Sequence, residues 1–194
     1  SEKNRFRRVF LEQLEDRRLL TTFAVDTILD TVDVNPGNGV ALDAAGNTSL
    51  RAAIMEANAL AGDDQIILPA GTFQFTRTGV GENSASTGDL DINSNVTIVG
   101  AGAELTIINA NRLDRVLQID GVVSLTDLTI AGGQAPGPNQ PGNGYGGGIH
   151  IDAGVISLER VRVTDNYGNF GVGGISNLGD LTIYDSDISN NHTP

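Results

Sequence analysis

Cysteine and tryptophan are absent from the 194 residues, methionine occurs once and aromatic side chains make up 5%. Without cysteine there is neither a disulfide framework nor a thiolate zinc site, and composition carries no mark of redox compartment. Apolar runs extend only a few residues, which excludes a membrane-spanning helix. No GxGxxG or Walker pattern stands between a strand and a helix, so nucleotide-binding loops of those kinds are excluded as well. Bases are scarce, with 12 Lys plus Arg against 24 Asp plus Glu. Six of the twelve bases and four of the acids lie in residues 1–20, leaving six bases against twenty acids in the other 174. So acidic a body repels nucleic acid and anionic lipid; no nucleic-acid partner is expected.

Glycine is plentiful, at 25 residues, and 39% of the chain is apolar, which suits a core interrupted by many turns. Three parts are expected: a basic segment over 1–22, an N-terminal cap over 23–90 and repeats over 91–194. In the first part, apolar residues at 6, 10, 11, 14 and 19 or 20 form one stripe if helical, without the long apolar core of a secretory signal. Leu14, Glu15, Arg17, Leu19 and Leu20 resemble the LEPR-XLL motif that opens many large bacterial surface or secreted proteins, with Asp16 in place of its Pro. That resemblance implies export.

Short extended pieces at 23–26 and 31–34 lead to a turn-rich loop and then to one helix, expected over 49–61. Leu50, Ile54, Ala57 and Ala61 share its face, Ser49 caps its N-terminus and Gly62 suits its stop. Ser49, Leu50, Arg51, Ala53, Ile54, Ala57 and Asn58 resemble the CSLREA motif that precedes bacterial β-helix repeats. Thr48 stands where the family has Cys and Ala52 where it has Glu, so only the Ser half of a capping box remains. The resemblance, with DDQIILPAGTFQF and TGDLDI, covers roughly 23–194.

Three ungapped segments repeat: 121–133, 154–166 and 179–191. Each opens with Gly, and each carries an apolar, hydroxyl, apolar triplet: Val123-Ser124-Leu125, Ile156-Ser157-Leu158 and Leu181-Thr182-Ile183. Val96-Thr97-Ile98 is an earlier copy. A second short strand follows each triplet, with Leu128 and Ile130, Val161 and Val163, and Ser186 and Ile188 pointing one way. Strands this short bury a face only by stacking on the equivalent strands of neighbouring repeats. The fold expected is therefore all-β, a right-handed parallel β-helix with an N-terminal capping α-helix. Excess length and three of the six prolines place a surface loop over 134–146. The GGGI and VGGI stretches resemble repeats of polymorphic outer membrane proteins, whose β-helices are pectin-lyase-like.

The register stacks Asp127, Arg160 and Asp185 in one column and Thr129, Arg162 and Asp187 in the next, a ladder of opposite charges. Asn166 and Asn191 share a column with Gly133, where a stacked amide satisfies backbone groups of the next repeat. Asp165 beside Asn190 are the candidates for calcium, the one cofactor considered. His150, placed outward, and His192 read as surface residues; Asp63 and Asp64 face opposite ways. No acid, base and nucleophile converge, so no catalytic residue is assigned. The function expected is a non-catalytic, secreted or cell-surface bacterial scaffold displaying loops for adhesion, with carbohydrate or cell-envelope components as partners. A pectate-lyase-like polysaccharide lyase or hydrolase on the same fold is the alternative. A third reading, an autotransported passenger, calls for a membrane barrel beyond Pro194, where further repeats are also expected.

Overall fold

The computed structural model describes residues 20–137 and 144–193. Residues 1–19 of the expected N-terminal segment and 138–143 of the expected loop lie outside the described residues. In chain order the elements are β1 (Thr21–Ala24), α1 (Leu50–Ala59), β2 (Asp63–Ile67), β3 (Gly71–Gln74), β4 (Leu90–Ile92), β5 (Asn95–Val99) and β6 (Thr106–Asn109). There follow β7 (Leu117–Ile119), β8 (Val122–Thr126), β9 (Thr129–Ala131), β10 (Ile149–Ile151) and β11 (Val155–Glu159). The last four are β12 (Arg162–Thr164), β13 (Ile175–Asn177), β14 (Asp180–Tyr184) and β15 (Asp187–Ser189).

The strands make three sheets, all of them parallel. A six-stranded sheet runs β1-β2-β5-β8-β11-β14, a five-stranded sheet β15-β12-β9-β6-β3 and a four-stranded sheet β13-β10-β7-β4. From β4 onward the chain visits the four-, six- and five-stranded sheets in that order, and each such pass is called a tier. Pairing is one to one between tiers: Val96, Val123, Ile156 and Leu181 share a row, as do Ile98, Leu125, Leu158 and Ile183. The inward rows of all three sheets merge into one apolar cluster, with Leu90, Leu117, Ile149, Ile108, Ile130 and Val163 fully buried. Each such side chain contributes roughly 1.5–3 kcal/mol of burial.

The glycine that opens each repeat has a steric cause. A Cβ on Gly121 would lie 2.0 Å from the Ser94 carbonyl oxygen, one on Gly154 2.5 Å from that of Gly121, and one on Gly179 2.1 Å from that of Gly154. Only a residue without a side chain allows backbones at this corner to approach so closely. The next corner, between the six- and five-stranded sheets, carries Asp127, Arg160 and Asp185 in the left-handed region, at φ 57, 52 and 46°.

Helix α1 packs against β2 and β4 and places Leu50, Ala53, Ile54 and Ala57 on the apolar cluster. The helix is shorter than expected. It ends at Ala59, Leu60 takes the cap position with extended φ and ψ, and its N–H returns to Ala57 and Glu56 carbonyls. Ala61 is thereby outside the helix and exposed, and Gly62 lies in the bend that precedes β2 rather than at the helix stop. Segment 31–34, expected to be extended, is irregular. The surplus loop also begins later than 134, because Gln134 bridges Tyr167 and Ala135 donates its N–H to the Tyr167 carbonyl at 2.8 Å. Among the described residues, no helix is long and apolar enough to cross a membrane.

Candidate functional site

The polar residues of the helical motif each hold a different loop. Ser49 Oγ accepts the Ala52 N–H at 3.0 Å and donates to the Thr31 carbonyl at 2.6 Å. Arg51, 1% exposed, donates Nε to Asp30 at 2.5 Å and its two terminal nitrogens to the carbonyls of Ala85, Asp89 and Gly88. Its guanidinium also lies 5.1 Å from the Phe75 ring centre. Glu56, fully buried, accepts the Gly37 N–H at 2.5 Å and that of Gly39. Asn58 donates to the Asp91 carbonyl at 2.7 Å and accepts from Asn93 and Ser94. One helix thus ties the 30–39 loop and the 85–94 segment to the start of the stack.

Arg51 also pins a crossover that seals charges on the outer face of the four-stranded sheet. Leu90 and Ile92 point inward, so Asp91 points outward, and its row continues through Gln118, His150 and Ser176. Asp91 is nonetheless 1% exposed. It accepts the Ala85 N–H at 3.1 Å. Burial pushes its carboxyl up to about 7. Asp114 is pushed up to about 6 by burial, against the N–H of Arg115, and its Oδ2 is buried without a hydrogen-bond partner. Burial, and then the carboxyls of Asp114 and Asp91, hold Asp89 well above the ordinary range despite Arg115 Nε at 3.0 Å.

His150 corrects the expectation of a surface role. It is 4% exposed, with Nε2 2.9 Å from Asp152 Oδ1 and Nδ1 buried without a partner. Burial, then the charge of Arg115, lowers its pKa, and Asp152 works the other way. Gln118 donates to the second Asp152 oxygen at 3.0 Å. Periodicity alone places Asp91 and His150 outward. Nothing in that alternation tells that the outer face of this sheet is covered.

Of the expected ladder residues, Thr129 is buried, and the charged ones are partly or fully exposed. Arg160 grips Asp127 with Nε at 2.7 Å and Nη2 at 2.8 Å, and its third nitrogen reaches Glu159. Asp185 occupies the same column, yet among the described residues no ion pair joins it to Arg160, whose donors are taken by Asp127 and Glu159. Arg162 binds Glu104, a partner the column pattern does not contain, and keeps Asp187 at 3.9 Å. Asp127 and Glu104 are held below the ordinary carboxylate range by hydrogen bonds from these arginines. Asp63 is exposed and Asp64 buried, on opposite faces of β2.

Asn166, fully buried, accepts the Gly133 N–H at 2.9 Å and donates to the Ile130 carbonyl at 3.1 Å. Asn191 repeats the pattern one tier on, accepting from Asn166 N–H at 3.1 Å and donating to the Val163 carbonyl at 2.8 Å. Of the calcium candidates, Asp165 faces Arg112, Nη2 to Oδ1 at 3.1 Å, and both Asp165 and Asn190 have left-handed backbones. Among the described residues, no three His, Asp or Glu side chains gather to hold a metal ion.

Arg112 and Asp165 open onto a shallow cleft of about 440 Å³, lined also by Gln134, Tyr167 and His192. It lies where the chain crosses from the five-stranded to the four-stranded sheet. Gln134, Tyr167 and His192 are paired by parallel bridges, so they stand at equivalent positions of three successive tiers. The Arg112 guanidinium lies 5.8 Å from the Tyr167 ring centre, and the Tyr167 and His192 rings are 6.4 Å apart. Of these five, only Asp165 and His192 entered the sequence reading, because the others gain meaning from being stacked. No family model, curated protein or solved structure matches the chain.

Proposed function

We propose that the chain is a right-handed parallel β-helix of the kind that follows CSLREA motifs, and that it is a non-catalytic scaffold for adhesion or cell-envelope contact on the outside of a bacterium. The solenoid reading is supported by a repeated strand order and one-to-one register in three parallel sheets. The observation that carries the scaffold reading is how charge is used. Arg51 and Asp91 hold backbone in sealed surroundings, while Arg160 with Asp127 and Arg162 with Glu104 are paired with each other at the surface. Length varies most in the crossovers 75–89, 110–116, 132–148 and 165–174, which fall in a single column beside a far more constant stack. The test is binding of purified protein to a glycan array and to envelope fragments, alongside fractionation of the producing cells. Retention on either surface and recovery in the external fraction are expected; recovery from the cell interior together with no retention overturns the reading.

A polysaccharide lyase or hydrolase is a second reading, and one observation favours it: Asp91 and Asp114 are pushed up to about 7 and about 6 within reach of the Arg115 charge, which also acts on His150 two strands along the row, as acid–base groups are tuned in active sites. On this reading, incubation with polyuronates or neutral glycans releases unsaturated sugars or reducing ends, and Asp91→Asn abolishes the release. Absence of products from every glycan tested leaves the scaffold reading in place.

A further inference from the structure

We propose that the cleft formed by Arg112, Gln134, Asp165, Tyr167 and His192 binds a neutral, β-linked oligosaccharide of gluco configuration. The proposal rests on the scaffold reading above and gives it a ligand class and a site.

Four observations lead there. First, the cleft stacks planar, hydrogen-bonding side chains at equivalent positions of successive tiers, roughly 4.8 Å apart along the stack. A sugar with equatorial hydroxyls has an apolar C–H face that an aromatic ring covers, and a rim of hydroxyls that amides, carboxylates and guanidinium groups bond. Tyr167 supplies the ring, and Gln134, Asp165 and Arg112 supply the rim. A stack that repeats tier by tier suits a ligand that repeats too.

Second, the charge balance of the cleft selects against acidic glycans. Arg112 is matched by Asp165 at 3.1 Å, and the chain as a whole carries −12. A polyanion approaching this surface is repelled, whereas an uncharged glycan is not. Third, Arg112 differs from the other surface arginines. Arg160 is held by Asp127 and Glu159, and Arg162 by Glu104 with Asp187 nearby. Besides its approach to the Tyr167 ring, Arg112 makes one hydrogen bond, to one oxygen of an exposed carboxylate, so most of its N–H donors face the cleft uncommitted.

Fourth, the backbone that presents Arg112 is unusual. Asn111 and Arg112 are consecutive residues in the left-handed region, at φ 54 and 58°. Neither is glycine, and an arginine enters that region only where its surroundings hold it there. The Asn109 side chain accepts the Asn111 N–H at 2.8 Å, and the Gly132 carbonyl accepts that of Arg112 at 2.7 Å, which keeps the turn in place. The turn sets the guanidinium over Tyr167.

The experiment is a titration of the full chain with cellotetraose, tetraacetylchitotetraose and tetragalacturonate. It is followed by NMR at the Gln134 amide, the Arg112 Nε–H and the Tyr167 ring. Saturable shifts at these groups with a neutral tetrasaccharide, and weaker or no binding of tetragalacturonate, are expected. Tyr167→Ala is expected to lower affinity about tenfold and Tyr167→Phe to retain most of it, since the ring face rather than the hydroxyl makes the contact. Far-UV circular dichroism of both variants checks folding, and Arg112→Ala gives an independent loss of several-fold. No saturable shift with either neutral sugar overturns the proposal, as do tighter binding of tetragalacturonate and equal binding by Tyr167→Ala. If glycans bind but shift residues elsewhere, the scaffold reading stands and this site falls.

Discussion

The outer face of the four-stranded sheet and the turn between the six- and five-stranded sheets both present charged residues pointing away from the core, and the molecule treats them in opposite ways. At the turn, Arg160 and Asp127 are 47% and 31% exposed and meet as a solvated pair. On the sheet, Asp91 is 1% exposed and held near neutrality under the 75–89 crossover. The strand period sets the direction of a side chain in both places. What lies over it is set by a crossover whose path the period does not encode, so direction and environment are separate questions.

The sharpest way to break this comparison is at the pin of the crossover. Arg51→Met removes four hydrogen bonds to Asp30 and the 85–89 backbone and leaves the buried Asp30 carboxylate without its charged partner, held only by the Thr76 and Arg77 N–H groups and the Thr76 hydroxyl. A loss of about 3–5 kcal/mol in urea unfolding is expected. A change below about 1 kcal/mol would show that the crossover is held by other means. Asn166→Ala comes next. It orphans the Gly133 N–H and removes the side-chain donor to the Ile130 carbonyl, which costs about 1–3 kcal/mol for the buried donor left without a partner.

The pH dependence follows. Asp91 and Asp114 have folded pKa values above the ordinary 3.8, so their contribution to stability is complete below that value and is lost as pH rises through about 6 and about 7. His150, whose pKa is lowered, acts in the opposite sense and disfavours the fold as pH falls below its ordinary 6.5. Asp91→Asn keeps an oxygen for the Ala85 N–H and removes the charge. The variant is therefore expected to unfold at higher urea than the parent at pH 8 and at similar urea at pH 4, a gap of a few kcal/mol at most. Equal midpoints at both pH values refute the sealed-carboxyl account. Smallest of all is Arg160→Ala, expected to leave the urea midpoint within experimental error, because solvated pairs contribute little and less in salt.

The repeat was legible because two signals coincide in each copy: alternation that places Val123 and Leu125 inward, and a glycine that the neighbouring backbone makes obligatory. The helix was legible from Ser49 and its apolar spacing, although its end was not, since Leu60 closes it by turning extended where Gly62 looked the better stop. Roles that depend on contact between distant segments stayed hidden. Arg162 meets Glu104, 58 residues away, and Arg112 meets Asp165, 53 residues away. Asp89, Asp114 and Arg115 gain their meaning only where a crossover lies over them. A sequence read one repeat at a time does not contain those pairs.

Successive passes of the chain take different numbers of residues, yet the same rows meet in every pass. Most of the slack is absorbed at one corner, after the five-stranded sheet, while the other two corners stay at two or three residues from β7 onward. Gene duplication that copies one pass whole, or insertion of foreign sequence at that corner, therefore leaves every other pairing untouched. The molecule can lengthen, or change what it shows to its surroundings, without having to solve its folding problem again.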